Sequence, residues 1–186
     1  MLRPMPTVWT VGHSTREWLE FAALLEPAGI QAVADVRRYP ASRRHPQFAA
    51  VNMADALPAI GIDYVPMVEL GGRRRARPDS HNTAWRSESF RGYADYMETP
   101  EFQHARDRLE RLAAQRRTAV MCAEAHWTQC HRALISDELK SRGWRVIHLI
   151  APGRSEEHPY TKAARIVDGR LDYGATPSDG TQRDLF

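Results

Sequence analysis

The sequence predicts an α/β fold, a single three-layer, Rossmann-like domain whose mostly parallel sheet of about five strands is flanked by helices. Three observations predict it. Short apolar runs rich in Val and Ile alternate along the chain with segments of helical periodicity, the order that builds strand–helix–strand units and a parallel sheet. The length of 186 residues suits one domain, and a chain of that size can bury roughly 70% of its unfolded surface without disulfide staples. Apolar residues make up 42% and charged residues 26%, a globular balance that excludes disordered, collagen-like, coiled-coil and low-complexity chains. The expected organisation is one domain over 1–174 followed by a polar tail over 175–186.

The elements follow in order. Thr7-Val8-Trp9-Thr10-Val11 reads as a short buried strand ending at Gly12. Ser14 or Thr15 then caps a helix to about Glu26; Glu17 stands three residues after Ser14, the spacing of a capping box. Trp18, Phe21, Ala22 and Leu25 give that helix an apolar stripe, and Pro27 and Gly29 end it. Ala32-Val33-Ala34-Asp35-Val36 is a second strand, followed by an Arg- and Pro-containing loop over 37–48. A helix over about 52–59 stops before Gly61, and Ile62-Asp63-Tyr64-Val65 is a third strand. Residues 66–89 show little periodicity and much Arg, Gly and Asp, a loop of a length that usually carries function. Helical patterning returns over 90–97 and 100–115. Thr118-Ala119-Val120-Met121-Cys122 is the fourth strand, 130–141 a helix closed by Gly143, and 145–150 the fifth strand. Residues 165–173 read as a small hairpin around Asp168-Gly169.

Net charge is only +3, but its make-up is informative: of 26 Lys and Arg, only Lys140 and Lys162 are Lys. Codon bias accounts for such a preference; placement is a separate matter. Between Arg37 and Arg91 stand ten Arg and no Lys, against Asp55, Asp63, Glu69, Asp79 and Glu88. Guanidinium forks suit phosphate and carboxylate, so an anionic partner is expected, against the plainer reading of a solvated basic surface. The longest apolar runs are far short of the ~20 residues of a membrane helix, and residues 1–6 lack the apolar core of a signal peptide. Two cysteines eight positions apart do not make a disulfide scaffold. A reducing cytoplasm is the expected compartment, with no membrane partner.

In open α/β sheets, ligands bind beyond the carboxyl ends of the strands, and the unusual residues of this chain fall there. Gly12-His13-Ser14 follows strand one, Asp35 and Arg37-Arg38 end strand two, Gly71-Gly72 follow strand three, and Cys122 and Glu124 end strand four. Cys122, near helix amides or an Arg, is a candidate nucleophile; its alternative is a small buried apolar side chain. Glu124 and His13 are candidate acid/base groups, against a carboxylate pairing Arg37 and a hydrogen-bonded turn histidine. Asp35 orients a base or holds a hydroxyl, or else caps a loop. Gly12 and Ser14 open a helix whose free amides suit an anion, as do His131 and Arg132 at a later helix start.

Three further patterns stay open. Cys122, His126, Cys130 and His131 are all zinc-type donors, though not at finger spacing. Cys122 and Cys130 form a redox pair if the intervening loop folds back. The run Arg73-Arg74-Arg75-Ala76-Arg77, with Tyr64, Trp85, Phe90, Tyr93 and Tyr96 nearby, covers a nucleic-acid strand if those rings stack on bases; otherwise it is a solvated loop, with Tyr93 and Tyr96 in the core on a helix.

Taken together, Thr10-Val11-Gly12-His13-Ser14, Asp35-Val36-Arg37-Arg38-Tyr39-Pro40-Ala41-Ser42, Pro46-Gln47-Phe48, Leu70-Gly71-Gly72, Tyr93-Ala94-Asp95-Tyr96-Met97 and Cys122-Ala123-Glu124 with Cys130-His131-Arg132 resemble domain-of-unknown-function family 488. The matches fall in order over about 7–150. Family members usually carry Pro between the Cys-Glu and Cys-His-Arg pieces; here His126-Trp127-Thr128 stands instead. The resemblance implies an α/β domain with an enzyme-like cleft and supplies neither reaction nor cofactor. The expectation is an enzyme with catalytic Cys122, Glu124, His13 and Asp35, and with Gly12, Ser14, Arg37, Arg38, Gly71, Gly72, Arg73, Tyr96, His131 and Arg132 around an anionic small molecule or nucleic acid. The alternatives are a non-catalytic nucleic-acid-binding module and a fold stapled by a Cys/His metal site.

Overall fold

The computed structural model describes residues 4–175. Strands β1 (Thr7–Gly12), β2 (Ala32–Asp35), β3 (Asp63–Pro66), β4 (Thr118–Cys122), β5 (Arg145–Ala151) and β6 (Arg154–Glu157) form one sheet in the order β3-β2-β4-β1-β5-β6. Neighbours pair parallel throughout except β5 with β6, which is antiparallel. The sheet therefore has six strands where the sequence predicts about five. The extra strand, Arg154-Ser155-Glu156-Glu157, is exposed at every position. It carries no alternation of apolar and polar residues, and a charged edge strand of this kind resists pairing with other chains.

Five helices cover the two faces: α1 (Trp18–Leu25), α2 (Ala50–Ala59), α3 (Glu88–Met97), α4 (Pro100–Gln115) and α5 (Arg132–Ser141). Right-handed crossovers dictate their sides. The chain moves one way from β1 to β2 to β3, which puts α1 and α2 on one face. It then moves the other way from β3 to β4 to β5, which puts α3, α4 and α5 on the opposite face. Two separate cores record this. Phe21, Leu24 and Leu25 of α1 and Met53 and Leu57 of α2 pack on Trp9, Val11, Val33 and Met121. Tyr93, Phe102, Leu109, Leu134 and Ile135 of the other helices pack on Val8, Ala34, Val120 and Cys122. Alternate residues of each buried strand serve alternate faces, so the face that Cys122 joins is that of α5.

Two helix starts differ from expectation. α1 begins at Trp18, where Glu17 is the N-cap in a reciprocal capping box with Glu20, and the Glu17 amide donates to Glu20 Oε2 at 2.9 Å. Ser14 instead sits in a left-handed turn at φ 50° and its amide donates to the Ala123 carbonyl at 2.9 Å. α5 begins at Arg132, after a 3-10 turn over Trp127–Gln129 and an extended Cys130.

The hairpin expected around Asp168-Gly169 is present as β7 (Arg165–Val167) and β8 (Arg170–Asp172), with φ of 50° and 75° at the two turn residues. The expected tail lies outside the described residues, apart from Ala175. Among the described residues no helix is long and apolar enough to cross a membrane.

Candidate active site

Strand β4 has neighbours β1 and β2 whose chains leave toward the opposite face from its own. The loop after β1 turns to α1 and that after β2 to α2, whereas the loop after β4 reaches α5 on the other side. Diverging loops open a crevice at such a switch point. A cleft of about 240 Å³ lies there, and its lining includes Arg37, Arg38, Gly72, Arg73, Cys122, Glu124 and His131. The chain elements close behind it by backbone bonds: the His13 amide donates to the Cys122 carbonyl at 3.0 Å and the Val36 amide to the Met121 carbonyl at 3.0 Å.

At the floor, Cys122 and Cys130 are both buried free thiols. Beneath them lies Arg132, 1% exposed. Its Nε donates to Cys122 Sγ at 3.0 Å, one Nη to Thr10 Oγ1 at 3.2 Å, and the other to the Glu124 and Ala125 carbonyls at 2.6 and 3.2 Å. Its backbone amide, the first of α5, donates to Cys130 Sγ at 3.5 Å. None of these partners among the described residues is a carboxylate. A guanidinium stays protonated at any ordinary pH, and a buried charge without an opposite charge is costly; the sulfur atoms are the groups placed to supply it.

The thiols respond accordingly. Burial alone would push Cys130 up, but its hydrogen bond with Cys122 and the guanidinium and amide of Arg132 outweigh this and bring it down to about 7. Burial and the contact with Cys130 push Cys122 well above the usual thiol range. Two thiols in contact titrate as a pair: one proton leaves near neutrality and the second is held. His131 is kept neutral chiefly by burial. Its Nε2 bonds the Val36 carbonyl at 3.0 Å, and its Nδ1 lies 3.5 Å from Cys130 Sγ.

A second ionic group stands beside the first. Asp35 and Arg37 form a bidentate pair, Nε to Oδ1 at 2.8 Å and Nη2 to Oδ2 at 2.7 Å, with the Tyr64 hydroxyl donating to Oδ2 at 2.6 Å. The other guanidinium nitrogen reaches His13 Nε2 at 3.2 Å. An Arg donates only, so Nε2 accepts, and Nδ1–H donates to the Ser14 carbonyl at 2.8 Å. Stacked on Phe48 at 4.5 Å, His13 is desolvated by burial to a pKa of about 4, with Arg37 adding to the lowering. It is a neutral imidazole with both nitrogens bonded.

The rim is basic. Arg38 and Arg73 flank the ring of Tyr39, which is 63% exposed, at 5.6 and 5.9 Å, and Arg38 donates to the Arg73 carbonyl at 2.7 Å. Two further members of the Arg run are tied into the protein. Arg74 bonds the Gly71 carbonyl at 3.1 Å and lies 3.6 Å over Tyr96, while Arg77 pairs with Glu98 at 2.6 Å. Three glycines are explained by close approach. A Cβ on Gly12 would stand 1.8 Å from the Glu124 carbonyl oxygen, and one on Gly71 would stand 2.6 Å from Arg38 Cα. Gly72 meets the His131 ring in the same way, at 3.0 Å.

A family model described as domain of unknown function DUF488 matches residues 17–139. The chain belongs to this family. No curated protein and no solved structure matches it.

Within this DUF488 chain, the structure gathers seven of the expected residues around the cleft itself. Gly12, His13, Ser14, Asp35, Gly71, Tyr96 and Arg132 stand behind the lining and hold it. The Ser14 amide is bonded to Ala123, and the Glu17 carboxyl occupies the start of α1, so that end presents no open anion cradle. His126 is exposed, and among the described residues no group of three His, Cys, Asp or Glu side chains is arranged to hold a metal. Sequence reasoning missed Tyr39 and Ser89 at the rim, whereas Phe90, expected beside the Arg run, does line the cleft. It also missed Thr10, Asp137, His148 and His158 behind Arg132. The register supplies a signal: Thr10 lies opposite His148 on β5, a polar pair flanked by Trp9 and Val11 on one strand and by Ile147 and Leu149 on the other.

Proposed function

We propose that this DUF488 protein is a thiol-dependent enzyme acting on an anionic substrate, with the thiolate shared by Cys122 and Cys130 as its nucleophile. The observation that carries this reading is Arg132: buried, cationic, bonded to Cys122 Sγ at 3.0 Å and to no carboxylate among the described residues. A permanent cation there favours loss of one proton from the pair. Cys130, at the α5 start with the lower pKa, carries the reactive thiolate, and Cys122 steadies it through their mutual hydrogen bond. Glu124, exposed at the cleft, is the group placed to exchange protons with substrate. His13, fully bonded, serves by orienting Arg37. Arg38 and Arg73 at the rim attract the anion.

The test is alkylation of the protein by iodoacetamide across pH, with site identification by mass spectrometry. The reading predicts labelling at Cys130 that is half-maximal near pH 7, and a higher midpoint in Cys122→Ala. Labelling that rises only in the range of an ordinary thiol, about 8.5, contradicts it.

A second reading rests on Tyr39, exposed between two guanidiniums, which is how a base-stacking platform on single-stranded nucleic acid is built. It predicts binding of an oligonucleotide that weakens steeply with salt and is lost in Tyr39→Ala. No binding at low salt removes this reading and leaves the first intact.

A further inference from the structure

The deepest polar feature of the molecule lies behind Arg132, on the side away from the cleft. Asp137, His148 and His158 are completely buried. From Arg132, the contacts run in sequence: Nη1 to Thr10 Oγ1 at 3.2 Å, Thr10 Oγ1 to His148 Nδ1 at 2.6 Å, His148 Nε2 to His158 Nδ1 at 2.9 Å, and His158 Nε2 to Asp137 Oδ1 at 2.8 Å. Asp137 also accepts from the Thr161 amide at 2.9 Å, the Thr161 hydroxyl at 2.6 Å and the Tyr173 hydroxyl at 2.8 Å.

The two ends, together with neutral rings between them, give the chain a single direction. Arg132 can only donate, so the Thr10 oxygen accepts from it, and its hydroxyl proton is free to go to an unprotonated His148 Nδ1. His148 then carries its proton on Nε2 and donates to His158 Nδ1. His158 in turn carries its proton on Nε2 and donates to Asp137, which as a carboxylate only accepts. Burial holds His148 neutral, its pKa pushed down to about 2, and with both rings carrying their proton on Nε2 every bond points the same way, from the Arg132 guanidinium to Asp137. Trp127 stacks on His148 at 4.5 Å and 8°, which holds the ring in the plane the chain needs.

We infer that Asp137, His158, His148 and Thr10 form a one-way hydrogen-bond relay that positions the Arg132 guanidinium against the Cys122–Cys130 pair. The inference rests on the thiolate reading above. Arg132 and Asp137 both stand on α5, while Thr10 comes from β1, His148 from β5 and His158 from the segment after β6. The relay therefore locks the angle at which α5 presents its first turn to the end of β4. Polarised bonds in series strengthen one another in a low-dielectric interior, so the Thr10 oxygen holds Arg132 better with the relay intact than without it. These are positioning residues; none of them lines the cleft. The other titratable groups around the pair include His131 just before α5, Tyr93 on α3, Arg73 and Arg74 from the loop before α3, Arg37, Arg38 and Tyr39 after β2 and Glu124 after β4. The relay variants leave all of them in place.

The experiment follows the alkylation midpoint in His148→Phe, which keeps the stack on Trp127 but breaks both bonds, and in Asp137→Asn. His148→Gln is the conservative control, because its amide still offers one acceptor and one donor. The first two are expected to raise the midpoint by about one pH unit, a ~10-fold loss of thiolate at a pH below both midpoints, and His148→Gln is expected to restore most of it. In the unmodified protein, nitrogen-15 NMR should show both rings as neutral Nε2–H tautomers at neutral pH. That measurement needs no variant to fold. A low wild-type midpoint that folded His148→Phe and Asp137→Asn leave unmoved overturns the relay. So does a protonated or Nδ1–H ring in the NMR spectrum. An ordinary wild-type midpoint sinks the thiolate reading instead, and the NMR result then decides the relay separately.

Discussion

Single residues in this molecule are constrained by what approaches them. Gly12 is the sharpest case, since the Glu124 carbonyl oxygen fills the place of its missing Cβ. Gly12→Ala must push the β4 loop away from β1, and the displaced atoms include the carbonyl that receives Arg132. The expected cost is about 3 kcal/mol of stability, read by urea denaturation; a loss below about 0.5 kcal/mol contradicts the packing described. His13 gives a second prediction. Its folded pKa is about 4, below the ordinary 6.5. The stability tied to the neutral ring is therefore fully present above 6.5 and is lost as pH falls from there toward 4. Each such proton contributes a slope of about 1.4 kcal/mol per pH unit in that window. His13→Gln should flatten the dependence of unfolding free energy on pH between those values, and an unchanged slope counts against a buried neutral ring. The importance of Gly12 and His13 was legible in the sequence, but their roles were not. A histidine after a strand reads as an acid/base group until its two nitrogens are seen bonded to Arg37 and Ser14.

Elements meet at Asp95. This α3 carboxylate is 3% exposed and takes the Arg77 amide at 2.7 Å, the Ser80 hydroxyl at 2.5 Å and the Asn82 amide group at 2.8 Å. Burial opposes its charge, yet these donors and Arg77 bring its pKa below the usual carboxylate value. The long 66–89 loop is thereby anchored to a helix at one end, and Tyr93 and Tyr96 hold its other end by the Leu70 and Glu69 carbonyls at 2.7 and 2.5 Å. Asp95→Ala removes three bonds to a charged acceptor, each worth about 1.5–3 kcal/mol, so the loop should become susceptible to limited trypsin digestion after Arg75. Resistance equal to wild type contradicts the anchoring role. The sequence shows the loop and its Arg run clearly. It does not show that Arg74 and Arg77 are consumed internally while Arg73 faces the cleft. That division depends on partners some 20 residues away, beyond the reach of periodicity. The β6 edge strand was invisible for a related reason: its four polar residues show no apolar alternation, and they join β5 through the backbone ladder and the Arg145–Glu157 pair at 2.9 Å.

At the scale of the whole molecule, the doubly wound sheet explains why four loops distant in sequence share one cleft. β4 enters between β1 and β2 and departs to the opposite face, so the crevice forms at its end, where Cys122 stands. Alternating apolar runs made the strands and helices of this arrangement legible, and the strand-end rule made the Cys122 region legible as a site. The buried half of the site was not legible. Behind the thiols the sequence singles out Arg132 alone; Thr10, His148, His158 and Asp137 join it only once β1, β5 and α5 are packed, and no motif or periodicity links them.

All of these scales bear on one claim, that a buried guanidinium without a carboxylate partner holds a thiolate at the floor of the cleft. The pH dependence of iodoacetamide labelling at Cys130 tests it most directly. The account predicts a half-maximal rate near pH 7. A rate that rises only around the ordinary thiol value of about 8.5 contradicts it.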